Sequence, residues 1–222
     1  MHIEPGLVSE AKLLLSYGTG SAALAYGAKR GFDTIRDSGA AALVVRAAIC
    51  SVLVFAFFQV LPHVPVGISE VHLILGSTLF LMFGAGPAAI GLALGLLAQG
   101  LFFEPQDLPQ YGMNVTSLLV PLFALEVMAR RVLPAGRAYV DLDYAHVLKL
   151  SLAYQGGIVA WVAFWAIWGQ GFGAENLAKI ASFGGAYMLV VLLEPLVDLA
   201  VLACAKGMRP SAWVASRLHT AA

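Results

Sequence analysis

The chain has 222 residues, of which 60% are hydrophobic and only 12% charged, and its formal net charge is zero. Its mean hydropathy is +0.83. Soluble domains carry about 25% charged and about 45–50% apolar residues, so this composition excludes an ordinary soluble domain and gives no support to nucleic-acid binding; it describes one integral membrane domain over 1–222.

In chain order, the first feature is the hexapeptide "MHIEPG". No basic stretch precedes the first apolar run, and Glu4, Glu10 and Lys12 stand where a cleavable signal would be apolar. Residue 1 is therefore expected to stay in the mature protein, and the bulky His2 is expected to protect Met1 from trimming. Cys50 and Cys204 lie in apolar runs without a spaced pair. They read as small buried filler rather than as a disulfide or a thiolate metal site.

A hydrocarbon core of about 30 Å needs about 20 apolar residues in a helix. On this measure the spans read as Leu7–Ala28, Ala40–Leu61, His72–Phe83, Pro87–Phe103, Met113–Val132, Ala145–Trp168 and Leu177–Ala205. The third and fourth are short, and one kinked helix over 72–103 is the alternative. Charge decides between them. Lys29, Arg30 and Arg36 follow the first span, Arg130, Arg131 and Arg137 the fifth, and Lys206, Arg209 and Arg217 the seventh, whereas 62–71, 104–112 and 169–176 contain no Lys or Arg. Basic residues collect on cytoplasmic loops. Seven spans with a hairpin at Gly84–Pro87 put all three clusters on one side; six would not. Pro87 suits the first turn of a helix, where its missing N–H costs nothing. The expected fold is thus an all-α integral membrane protein of about seven transmembrane helices. Its N-terminus is outside and its C-terminus is cytoplasmic. Segment 1–6 is the N-terminal metal-binding segment, 7–206 the bundle and 207–222 a cytoplasmic tail.

This topology places "MHIEPG", "PHVPVGISEVH" and "EPQDLPQYGMN" on the outer face, and with them His2, His63 and His72. A free α-amine, the next backbone nitrogen and an imidazole on residue 2 can chelate one metal through a five-membered and a six-membered ring. A fourth nitrogen completes a square plane, a geometry that suits Cu(II) or Ni(II). His72, where the second outer loop enters the third span, is the best candidate; His63 competes. A histidine at either place can equally be an interfacial residue bonded to backbone.

Ionisable residues inside a membrane are functional candidates by default. Glu126, Glu194 and Asp198 qualify, with Arg46 and Lys149 as partners. Glu194 and Asp198 share a helix face around Pro195 and would serve a proton or ion pathway, although Glu126 and Asp198 sit toward inner helix ends, where they can simply reach headgroups or inner-face basic residues. Small residues at four-residue spacing let membrane helices approach closely. Gly18-xxx-Ala22 and Ala23-xxx-Gly27-xxx-Gly31 form such stripes, for a coupling protein or for a neighbouring span. There is no G-x-x-x-x-G-K-[ST], so the chain has no Walker A loop. Nor is there a Ser-His-Asp or Cys-His spacing that argues for catalysis.

"MHIEPG", "VPVGISEVHLILG" and "QGLFFEPQDLPQYGMNV" resemble, in that order, the motifs of the CbiM/NikM family, the substrate-binding membrane components of cobalt and nickel energy-coupling-factor transporters. The likeness covers about residues 1–120; the C-terminal half fits by hydropathy alone. It implies that the Met1 amine, the His2 amide and imidazole and the His72 imidazole hold Co(II) or Ni(II) as the transported ligand, with the N-terminal segment inserted toward the bundle from outside and Asn114 supporting the site from behind. It also implies a location in the inner (plasma) membrane. The implied partners are a transmembrane coupling protein, two ATP-binding subunits and a small accessory membrane subunit. The chain itself is then not an enzyme. The family's T-S-x-H reads Ser69-Glu70-Val71-His72 here, so a carboxylate stands two residues before the ligand. Glu70 can add an axial oxygen, neutralise charge, hydrogen-bond His72 or face water. The rival readings are a stand-alone secondary metal or proton-coupled permease using Glu194 and Asp198, and an intramembrane enzyme or structural subunit with incidental histidines.

Overall fold

A computed structural model describes Ile3, residues 6–133 and residues 138–207. Within these residues the chain forms seven α-helices: α1 Glu10–Ser38, α2 Ala40–Gln59, α3 Gly76–Phe83, α4 Ala85–Phe102, α5 Tyr111–Val132, α6 Tyr144–Gln170 and α7 Ala174–Gly207. Between α2 and α3 stands a hairpin of two short strands, β1 Val64–Val66 and β2 Ser69–Val71.

Side-chain contacts fix the helix directions. Gly20 of α1 lies on Gly112 of α5, Gly27 near Phe123, and Arg30 bonds Glu126, so α1 and α5 run the same way. Gly91 and Gly95 of α4 lie on Cys50 and Val54, so α4 follows α2. The Tyr154 hydroxyl meets the Leu118 carbonyl and the Trp165 indole N–H meets Thr116, so α6 opposes α5. Asn176 against Ala166 and Tyr187 against Gln155 make α7 oppose α6. Residues 74–78 meet Glu194 and then Asp198, so α3 runs with α7. The helices therefore alternate in direction along the chain.

Two of the reversals use one residue each. Gly39 (φ 88°) separates α1 from α2, and Gly84 (φ 95°) separates α3 from α4. Both lie in backbone space that side chains disfavour. They sit at the end of the bundle that also holds Lys29, Arg30, Arg36, Arg130, Arg131 and Lys206, so the described basic residues in the C-terminal parts of α1, α5 and α7 do share one end. Arg137, Arg209 and Arg217 lie outside the described residues, as do 208–222 of the expected tail.

The span boundaries need correction at two places. The first helix runs on to Ser38, nearly three turns beyond the expected end, and stops at Gly39 with its positive φ. The third starts at Gly76 rather than His72 and has 8 residues, about 12 Å of helix. It covers only the half of the membrane nearer the basic end. Residues 60–75, as hairpin and extended chain, descend to meet it. Non-helical backbone at such depth is tolerated where protein buries it, and Ile68, Ser69, His72 and Ile74 are all buried. Five helices (α2, α4, α5, α6 and α7) are long and apolar enough to cross a membrane by themselves. α1 is long enough but charged toward both ends, and α3 is too short.

Ala23, Gly27 and Gly31 pack inside the molecule, Gly27 on Ala89 and Gly31 on Ile90. Gly18 and Ala22 stay on the outer surface. Cys50 is buried filler against Gly91, as expected, but Cys204 is exposed, because it faces away from the bundle on α7.

Candidate metal centre

The hairpin is built by its turn. Val66 pairs with Ser69, leaving the two-residue loop Gly67-Ile68, and Gly67 has φ 65°. Glycine first in a two-residue loop is the pattern of a type II′ turn, whose twist matches the strands. Gly67 is also constrained from outside: a Cβ there would come within 2.5 Å of the Lys179 carbonyl oxygen. The hairpin tip is thus seated on the first turns of α7.

On its other edge β2 receives the N-terminal segment. Ile3 forms an antiparallel bridge with Ser69 and is fully buried, at 0% exposure. The Ile3 backbone N–H donates to Oδ1 of Asn114 at 2.9 Å. Asn114 stands in the first turn of α5 and is 1% exposed. Its placement follows from Gly112, where a Cβ would meet the Ser16 carbonyl oxygen at 2.5 Å; α5 approaches α1 closely enough to turn Asn114 inward.

Side chains two apart on an extended strand share a face. Glu70 and His72 obey this rule, and Glu70 Oε2 lies 2.8 Å from His72 Nε2. A carboxylate at that distance accepts the Nε2–H, which sets the tautomer that carries its lone pair on Nδ1. The His72 ring is 1% exposed. It stacks on His63 at 5.0 Å between centroids and 17° between planes, and stands 5.2 Å from Phe58. Of the four readings of Glu70 left open by the sequence, the hydrogen bond to His72 is the one observed. His63 is the half-buried outer neighbour, with its Nδ1 3.4 Å from the Leu61 carbonyl.

The structure therefore brings Ser69 and Asn114 to Ile3, and pairs Glu70 with His72 on the chain that continues from Ser69. Met1, His2, Glu4 and Pro5 lie outside the described residues, and with them the expected metal ligands of residues 1 and 2. Among the described residues no three His, Cys, Asp or Glu side chains converge for a metal.

Of the membrane-embedded carboxylates, Glu126 reaches basic residues of the shared end, as the reading that it sits at an inner helix end allowed, whereas Glu194 and Asp198 have other partners than Arg46 or Lys149. Glu126 binds Arg30 and, at 2.9 Å, Arg130. Glu194 accepts the backbone N–H of Ile74 and of Leu75, the latter at 3.0 Å, and the Gln155 amide. The Tyr187 hydroxyl completes this set by donating to Gln155 at 2.8 Å. Asp198 accepts the hydroxyls of Ser77, at 2.6 Å, and of Thr78. Asp198 is thus buried against α3 and does not reach the basic end of its helix. Ile3, Gln155, Ser77 and Thr78 carried no mark in the sequence analysis. The signal for the last two was the run Gly76-Ser77-Thr78, polar at the start of a span.

Such a molecule, helical and multi-pass, with an insert buried at the end away from its basic residues, belongs to the class of all-α integral membrane proteins. The CbiM family, described as a cobalt uptake substrate-specific transmembrane region, matches residues 2–212, and this chain belongs to it. Two solved structures share the fold. One is titled a transition metal transporter, with 19% identity, a TM-score of 0.67 and 93% of each chain covered. The other is a truncated transition metal transporter, with 19% identity, a TM-score of 0.61, and coverage of 92% of this chain and 95% of that one. No curated protein matches the chain.

Proposed function

We propose that this chain is the metal-capturing subunit of an ATP-driven importer of Co(II) or Ni(II). The metal is taken at the end of the bundle away from the basic clusters, by the Met1 amine, the His2 amide and imidazole and the His72 imidazole. With basic residues on the cytoplasmic side, that end faces outward from the inner membrane. ATP hydrolysis belongs to two partner subunits, joined through a transmembrane coupling protein, with a small accessory membrane subunit alongside.

The observation that carries this reading is the burial of Ile3 between Ser69 and Asn114. Ile3, the residue that follows the two N-terminal ligands of this reading, is tied to the strand that leads into His72. Three nitrogens on two adjacent residues chelate with little ordering cost, and His72 offers the fourth from a buried ring held by Glu70. The permease rival loses its main support, because Glu194 and Asp198 are occupied by backbone and hydroxyl donors of 74–78.

The test is metal content of the purified protein with its natural start. Equimolar Ni(II) or Co(II) is expected for the parent, and none for His2→Ala, for His72→Ala or for an N-terminally extended chain. Full metal loading of the extended chain would overturn the amine ligand, and uptake without ATPase partners would restore the permease.

A further inference from the structure

The two buried carboxylates of α7 act on the chain immediately after His72. Glu194 takes the N–H groups of Ile74 and Leu75, two and three residues beyond the histidine. These are N–H groups at the start of α3, which no helical carbonyl can satisfy. Asp198, one turn further along α7, takes the two hydroxyls of the first turn of α3. Leu75 itself has φ 53°, the one positive φ of a non-glycine residue among the described residues. A bulky residue in that conformation persists only where its surroundings over-determine it, and the bond from its own N–H to Glu194 is such a constraint. The segment that carries His72 is therefore fixed at both ends, by the hairpin with Glu70 before it and by α7 after it.

We propose that Glu194 and Asp198 are positioning residues for His72: they do not carry the ion, but set where the imidazole meets the N-terminal nitrogens. This rests on His72 being a metal ligand. Removing the clamp frees Leu75 to leave its strained conformation, and the His72 ring moves with it, out of the plane the other three nitrogens define. Outer partners of metal ligands change affinity by about 10–100-fold when removed, and the coordination geometry should change with it.

The experiment titrates Ni(II) into the full-length protein with its natural start and records the ligand-field absorption of the bound metal. His72→Ala and Glu194→Gln are compared with the parent. The expected result is no binding for His72→Ala. Glu194→Gln should bind about tenfold or more weakly, with a shifted ligand-field band and faster hydrogen exchange at residues 73–76. A Glu194→Gln protein with parental affinity and spectrum, whatever its melting temperature, would overturn the inference while leaving the metal site intact. Parental binding by His72→Ala would instead remove the functional reading on which the inference rests, and the inference with it. If Glu194→Gln does not fold, Ser77→Ala/Thr78→Ala, which cuts the Asp198 half of the clamp, is judged by the same two readouts. A weakened affinity with a shifted band supports the clamp, and parental values for both reject it.

Discussion

The contact of α4 with α2 and the contact of α3 with α7 hold two neighbouring parts of the bundle by opposite means. The first is close apolar packing: a Cβ on Gly91 would overlap Cys50, and one on Gly95 would lie 2.7 Å from Val54 Cγ1. The second is hydrogen bonding, from the Ile74 and Leu75 amides and the Ser77 and Thr78 hydroxyls to two carboxylates. Small residues give the close approach that drives helix association in lipid, and their fit is set by shape alone. Hydrogen bonds are directional, and a buried one left unmade is costly. The apolar contact therefore suits a scaffold, and the polar one suits a segment whose residues must stand at fixed positions.

Three substitutions test this division. The largest effect is expected from Gly91→Val. The added atoms meet the Cys50 side chain and backbone, where neither helix can give way; overpacking costs about 1–3 kcal/mol or more. The folded yield from the membrane should collapse, as read by size-exclusion chromatography, and a monodisperse protein with parental melting temperature would break the comparison. Asn114→Ala is expected next. It leaves the buried Ile3 N–H without its acceptor, worth about 1–3 kcal/mol, while the helices stay packed. The bundle should melt near the parental temperature, but proteases should reach the N-terminal segment sooner and Ni(II) should bind more weakly. Unchanged protease sensitivity would show that the bridge to Ser69 suffices. The smallest effect belongs to Glu70→Gln. The amide oxygen still accepts from His72 but without charge, and charge-assisted bonds are roughly twice as strong as neutral ones. Because the Glu70 side chain is 23% exposed, the expected loss of Ni(II) affinity is below about tenfold. A larger loss would indicate direct contact between carboxylate and metal.

The scaffold was legible from hydropathy and charge because both are properties of windows. Seven elements, their alternation and the shared end of the basic clusters all follow from apolar runs and Lys and Arg positions. Gly84 and Pro87 marked the reversal before α4, and the reversal is there. The insert was not legible in the same way. "VPVGISEV" is apolar enough to be absorbed into a loop-plus-helix reading, and only Gly67 between two β-branched pairs hinted at a hairpin. Placing His72 on a helix followed from that, and it hid the two-residue relation that lets Glu70 reach the imidazole. Glu194 and Asp198 stood out because buried charge in a membrane is rare. Their partners were missed because backbone N–H groups and the hydroxyls of Ser77 and Thr78 carry no charge to attract attention.

The bond from Ile3 to Asn114 spans 111 positions of sequence, and this separation has a consequence for synthesis. The Ile3 N–H has no Asn114 to donate to until the fifth helix has been made and inserted. Ser69 is made earlier, so Ile3 can bridge to β2 first, and the second of its two ties closes when α5 arrives. The junction of Ile3, β2 and α5 is then completed late, although Ile3 itself is made before any of the helices.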